Sequence, residues 1–250
     1  MTAVINAFGR LTAVLIAVSS ASWAVSFLSN LDEGVALNNV ANAVLSGSGF
    51  KRSSVSEAAL SAAETRKICN PREIRAAAII RLRLYETAVD SPDMRLADQR
   101  LTALRSSVRE ALGCVPTDGL LWFIEYWSAI NQGGHVSDHL EALRLSYRLA
   151  PYEGWIALRS PYVLAIYDTL PPDLQENARN EFASIVRTGW IRDAVKILKG
   201  AGWRHHQVLL AGLGTVSLDF RLQLARALRA EGLMADVPGV EPQEFRPWRY

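Results

Sequence analysis

The chain has 250 residues, half of them apolar, and its 27 basic and 25 acidic side chains leave a net charge of +2. So even a balance gives no general affinity for nucleic acid or an anionic surface, while the apolar content suffices for a sizeable core. Lysine is scarce (Lys51, Lys67, Lys196 and Lys199) and arginine abundant, a bias that a GC-rich genome, as in many bacteria, explains without phosphate recognition.

The first element in chain order is Leu11–Leu28, 18 residues without a charge. As a helix it reaches roughly 27 Å, close to the hydrocarbon thickness of a bilayer. Arg10 on one side and Asp32–Glu33 on the other orient it with the N-terminus in the cytoplasm. Three readings are open: a retained anchor, a signal peptide cut near Ser19-Ser20-Ala21, or a buried helix of a soluble domain. The unbroken apolar run past Trp23 to Leu28 favours the anchor. Residues 1–29 are then the membrane segment, and the bulk of the chain lies outside the cytoplasm.

Residues 30–53 follow as a partly helical or flexible spacer that contains Ser46-Gly47-Ser48-Gly49. Beyond it the pattern is helical. Ser54 with Glu57 predicts a capping box before Val55–Ile68. Asn70, Pro71 and Glu73 offer a cap, an N1 proline and a second box. The helix that follows carries the apolar stripe Ile74, Ala77, Ala78, Leu82, Tyr85 and Val89. Ser91-Pro92-Asp93 opens the next, with Met94, Ala97, Leu101, Leu104, Val108 and Ala111 at spacings of three and four.

Cys69 precedes the first of these two helices and Cys114 closes the second. If the helices pair antiparallel, a disulfide there closes a 45-residue loop, and an oxidising compartment favours the bond. The alternative is two unrelated buried thiols. With no histidine near either cysteine in sequence, no metal site is expected.

Pro116–Asn131 is an aromatic-rich helix with Trp122, Phe123, Tyr126 and Trp127, stopped by Gly133-Gly134. Asp138 with Glu141 then caps His139–Ala150. Pro151–Leu170, Pro172–Thr188, Trp190–Lys199, Trp203–Leu210 and Ser217–Gly232 complete the helices, with a kink or break expected near Ser160 because Pro161 lies inside its segment. No stretch alternates with a period of two, so strands are not needed. Residues 237–250 form an extended tail with Phe245, Trp248 and Tyr250, suited to folding back on the domain or docking on a partner.

Pro116 and Pro151 each open a first helix and stand 35 residues apart, with Gly119 and Gly154 in equivalent positions. The stretch Glu141–Leu158, with Ala142, Tyr147 and a Leu-x-Pro junction, resembles the boundary between units of tetratricopeptide (TPR) repeats. The resemblance spans Pro71–Thr188 and is best over Pro116–Thr188. It implies a solenoid of antiparallel helix pairs over residues 54–236. Trp155–Ala165 is also similar to segments of repeat proteins associated with bacterial surface-polysaccharide assembly.

Catalytic signatures are weak. His135, Asp138 and His139 share a helical face with zinc-like spacing, but the Gly-Gly turn and the cap explain them better. Adjacent His205 and His206 point apart on a helix and read as solvated or packed against a neighbour. Glu125 among aromatics lacks the second carboxylate that most glycosidases use. Gly212-Leu213-Gly214 lacks a preceding strand, and no nucleophile motif occurs. Arg66–Arg109 reads as a modestly positive face, either simply solvated or able to meet an acidic partner or polysaccharide.

The expectation is therefore an all-α protein: an N-terminal transmembrane helix, then a TPR-like solenoid of helix pairs. It is expected to be non-catalytic, with no cofactor, no metal and no nucleic acid partner. It would sit in a bacterial inner membrane through residues 11–28, with its domain in the periplasm. There it would serve as a scaffold or accessory subunit of an envelope assembly, with polysaccharide biosynthesis or export as the specific case. A structural subunit contacting partners through its anchor and a glycan-acting envelope enzyme are the alternatives. Trp122, Tyr126, Trp155, Phe245, Trp248 and Tyr250 are the candidate partner-binding residues.

Overall fold

The computed structural model describes residues 2–45 and 69–241, with the side chains of the first helix described over 14–24 and 35–45. Among the described residues all regular structure is helical, and no strand occurs. The capping box at Ser54 and the aromatic residues Phe245, Trp248 and Tyr250 lie outside the described residues. The chain divides into two compact units, one of residues 1–117 with 127–134, the other of residues 118–126 with 135–250.

The first unit is built on α1 (Thr2–Leu45), α2 (Pro71–Val89) and α3 (Met94–Cys114). Helix α1 runs without interruption through the apolar stretch and through residues 30–45, the first part of the expected spacer. Among the described residues no helix is long and apolar enough to cross a membrane. The far end of α1 is packed: Leu37 is 3 % and Ala41 2 % exposed, where the helix meets α2.

Asn70 caps α2 by accepting from the Arg72 N–H at 3.2 Å. The reciprocal arm of the box is altered, because the Asn70 side-chain amide donates to the Glu73 carboxylate at 2.7 Å. The single-stripe expectation for α2 is too narrow. Five consecutive residues, Ala76 to Ile80, are buried, while Val89 stands exposed, because α2 is flanked by both α1 and α3. Helix α3 keeps its expected stripe of Ala97, Leu101, Leu104, Val108 and Ala111, with only Met94 on the surface. Asp93 caps it, accepting from Arg95 and Leu96 at 3.1 and 3.3 Å.

Helix α4 (Gly119–Asn131) starts three residues later than Pro116, because Asp118 supplies the cap, accepting from Leu120 and Leu121 at 2.9 and 3.2 Å. In the second unit it is followed by α5 (Leu140–Leu149), α6 (Ile156–Ala165), α7 (Pro172–Arg187), α8 (Ile191–Ile197), α9 (His206–Ala211) and α10 (Leu218–Ala230). Asp138 does not cap α5. It sits in a 3-10 turn, Val136–His139, and accepts from the Ser137 hydroxyl. Of the kink or break expected near Ser160, a break does not occur: α6 passes through Pro161 and ends at Ala165, then a 3-10 turn covers Tyr167–Thr169. The non-helical backbone of Gly200 instead separates α8 from the turns that lead to α9.

Gly119 is dictated by close approach. A Cβ there would lie 2.5 Å from the Ala150 Cβ and 3.0 Å from the Ser146 carbonyl oxygen, so α4 and the end of α5 touch backbone to backbone. Gly154 carries no such demand, with only a Trp190 ring carbon at 3.4 Å. The two glycines are therefore not equivalent. The rest of this core comes from Leu143, Val163, Leu174, Phe182, Leu198 and Leu224, all fully buried, where α7 packs against α6 and α8, and α10 returns against α7 and α8.

Candidate functional site

Three features stand out from the packing, the first two in the first unit. One is an apolar surface: on α1, Val14, Leu15, Ile16, Val18 and Trp23 are each at least 60 % exposed. Scattered exposed hydrophobics are ordinary, but five within ten residues of one helix form a surface that water disfavours.

The second feature is covalent. Cys69 and Cys114 form a disulfide with their Cα atoms 5.7 Å apart. It ties the residue before the α2 cap to the last residue of α3, the antiparallel arrangement that their spacing anticipates.

The third lies in the second unit and centres on Arg159, a fully buried guanidinium. Its Nε donates to Glu181 Oε2 at 2.7 Å, and Nη2 also pairs with that oxygen. Nη1 donates to the Ser146 hydroxyl at 2.7 Å and Nη2 to the Ala150 carbonyl at 3.2 Å. The Ser160 hydroxyl donates to Glu181 Oε1 at 2.6 Å. Aromatic faces complete the enclosure, with the guanidinium carbon 3.9 Å from the Tyr147 centroid and 5.1 Å from that of Trp155. One cation thus joins α5, α6 and α7. Removal from water is costly for both charges, and the multiple hydrogen bonds offset it. Burial pushes the Glu181 carboxyl up, and the attraction and hydrogen bonds of Arg159 oppose that.

Beside this network opens a cavity of about 300 Å³ lined by Tyr147, Tyr152, Asn177, Asn180, Glu181 and Arg187, together with Pro151. Burial raises the Tyr147 phenol well above its usual range, so it remains a neutral O–H.

The sequence candidates fall in different places. Tyr126 and Trp155 are core residues, not surface ones. Trp155 packs against Phe123 with ring centroids 6.2 Å apart. Trp122 is half-buried. His205 is buried against the Tyr167 ring, and His206 stacks on Trp203 at 4.4 Å. Among the described residues no group of histidine, cysteine and carboxylate side chains could hold a metal ion. Arg159 and Glu181 escaped the sequence reading. The signal was there in Arg159, the single charge within Trp155–Ile166.

No protein-family model matches the chain, and no curated protein or solved structure is similar enough to count as a match.

Proposed function

We propose that this protein is a non-catalytic, membrane-anchored scaffold or accessory subunit of a bacterial envelope assembly. In this reading residues 11–28 sit in the inner membrane and the helical domain lies in the periplasm, where its paired helices act as a TPR-like binding surface. Polysaccharide biosynthesis or export is the specific assembly suggested by the resemblance of Trp155–Ala165.

The observation that carries the reading is the two-part character of α1. Its exposed apolar flank, from Val14 to Trp23, continues as one helix into Leu37 and Ala41, which are packed in the first unit. A helix so joined to its domain favours retention over cleavage at Ser19–Ala21, and its apolar flank gains by entering lipid. The disulfide supports the outward orientation, since such bonds persist in oxidising compartments and are rare in the cytosol.

Topology reporters test it. Alkaline phosphatase fused after Glu241 should be active, and a green fluorescent protein at that point dark; the reverse pattern overturns the proposal. Isolation from native membranes should bring down envelope proteins, and a foreign anchor in place of residues 1–30 should retain them. Loss of those partners on the exchange would make the anchor itself the contact surface.

A further inference from the structure

The cavity beside Arg159 has a composition that calls for a ligand of a particular kind. Its one carboxylate, Glu181, is already neutralised from within the protein by Arg159 and hydrogen-bonded by Ser160. The charge left facing the cavity is Arg187, whose one side-chain hydrogen bond among the described residues is to the Thr215 hydroxyl at 3.3 Å, with no carboxylate partner among them. Asn177 and Asn180 lie one turn apart on α7 and line the same space. Neither side-chain amide makes a hydrogen bond within the described residues. Tyr147 adds a further polar group. It is 94 % buried, it lines the cavity, and its hydroxyl has no hydrogen-bond partner among the described residues. At the edge, Tyr152 presents an aromatic ring that is 77 % exposed.

We propose that this cavity binds a small hydroxylated carboxylate, of the sugar-acid class. Arg187 takes the carboxylate, because a guanidinium forms paired hydrogen bonds to that group. Asn177 and Asn180 take the hydroxyls. A primary amide offers both donors and an acceptor, and a hydroxyl answers both, whereas a bare carboxylate leaves the amide oxygen unmatched. The Tyr152 ring covers a C–H face of the ligand. The volume sits at the small end of ligand pockets, which suits a single sugar unit. This site is independent of the scaffold reading and stands whether or not α1 enters a membrane.

Calorimetric titration of the full chain in mild detergent tests the proposal, with sodium glucuronate as the probe and glucose and acetate as comparisons. Glucuronate should bind saturably and more tightly than either comparison. Arg187→Met should weaken it by about ten- to a hundredfold, the loss of a charge-assisted contact, and Asn180→Ala by about tenfold. Both residues lie on the surface side of α7, so the variants should unfold at the parent temperature. Three results overturn the assignment: no saturable glucuronate binding by the folded parent, parental affinity retained in both variants, or acetate binding as tightly as glucuronate. None of these outcomes bears on membrane delivery, which the reporter fusions decide separately.

Discussion

Arg159 and Glu181, 22 residues apart in sequence, meet as a fully buried ion pair that joins α6 to α7 and, through Ser146, to α5. Removing one partner strands the other charge in the core. Arg159→Met is expected to cost about 3–5 kcal/mol in denaturant unfolding, and Glu181→Leu a similar amount. The double variant should be much less damaged than the sum, because an apolar pair needs no compensation. Additive losses would mean that the two groups do not act on each other.

The hydroxyls of Tyr126 and Tyr147 are buried without a hydrogen-bond partner among the described residues. Tyr126→Phe should therefore be nearly neutral or mildly stabilising at pH 7, since no bond is lost and a desolvated O–H is removed. A loss well above 1 kcal/mol would contradict this.

The same two phenols set an alkaline limit. Burial pushes Tyr126 up to about 12 and Tyr147 well above its ordinary value of 10.0. The folded state therefore holds these protons more tightly than the unfolded chain does. Their contribution is complete below pH 10 and lost as pH climbs through the folded values. Absorbance at the tyrosinate band should show a late-ionising component that shrinks in Tyr126→Phe and Tyr147→Phe. An unchanged component in both would refute the assignment.

Gly119→Ala separates packing from propensity. Alanine stabilises an unobstructed helix by about 0.5–1 kcal/mol, yet here the new methyl would meet Ala150 at 2.5 Å. A net loss of about 1–3 kcal/mol is expected, while Gly154→Ala should be mild because its nearest neighbour is at 3.4 Å. Thermal unfolding of the pair of variants checks the contrast.

How much was legible in sequence depended on range. Asn70 acts on an N–H group two residues away, and its cap is legible in the sequence; at α3 the sequence marks the start at Ser91-Pro92-Asp93, and the structure makes Asp93 the cap. The α3 stripe from Ala97 to Ala111 was foreseen too, because that helix buries one face. Helix α2 was not, since burial from Ala76 to Ile80 follows from having neighbours on two sides, which periodicity does not report. Spacing alone makes Asp138 look like a cap, whereas Asp118, nearer an apolar run, takes the equivalent role for α4. Arg159 finds Glu181 only after α6 and α7 have packed, and the cavity around Asn177, Asn180 and Arg187 arises at the same step. The disulfide was anticipated because the geometry of one antiparallel helix pair sufficed.

That bond also has a measurable weight. Closing a 45-residue separation stabilises by about 4 kcal/mol in the chain-entropy treatment. Reduction, or Cys69→Ala with Cys114→Ala, should lower the unfolding midpoint of the first unit accordingly. A midpoint indifferent to reductant would show that the cross-link constrains nothing.

Delivery of the domain across the membrane is the central claim, and thiol trapping in intact growing cells tests it most directly. After acid quench and alkylation under denaturing conditions, Cys69 and Cys114 should resist labelling until a reductant is added. Immediate labelling of both cysteines in the unreduced sample would place the domain in a reducing compartment and contradict the account.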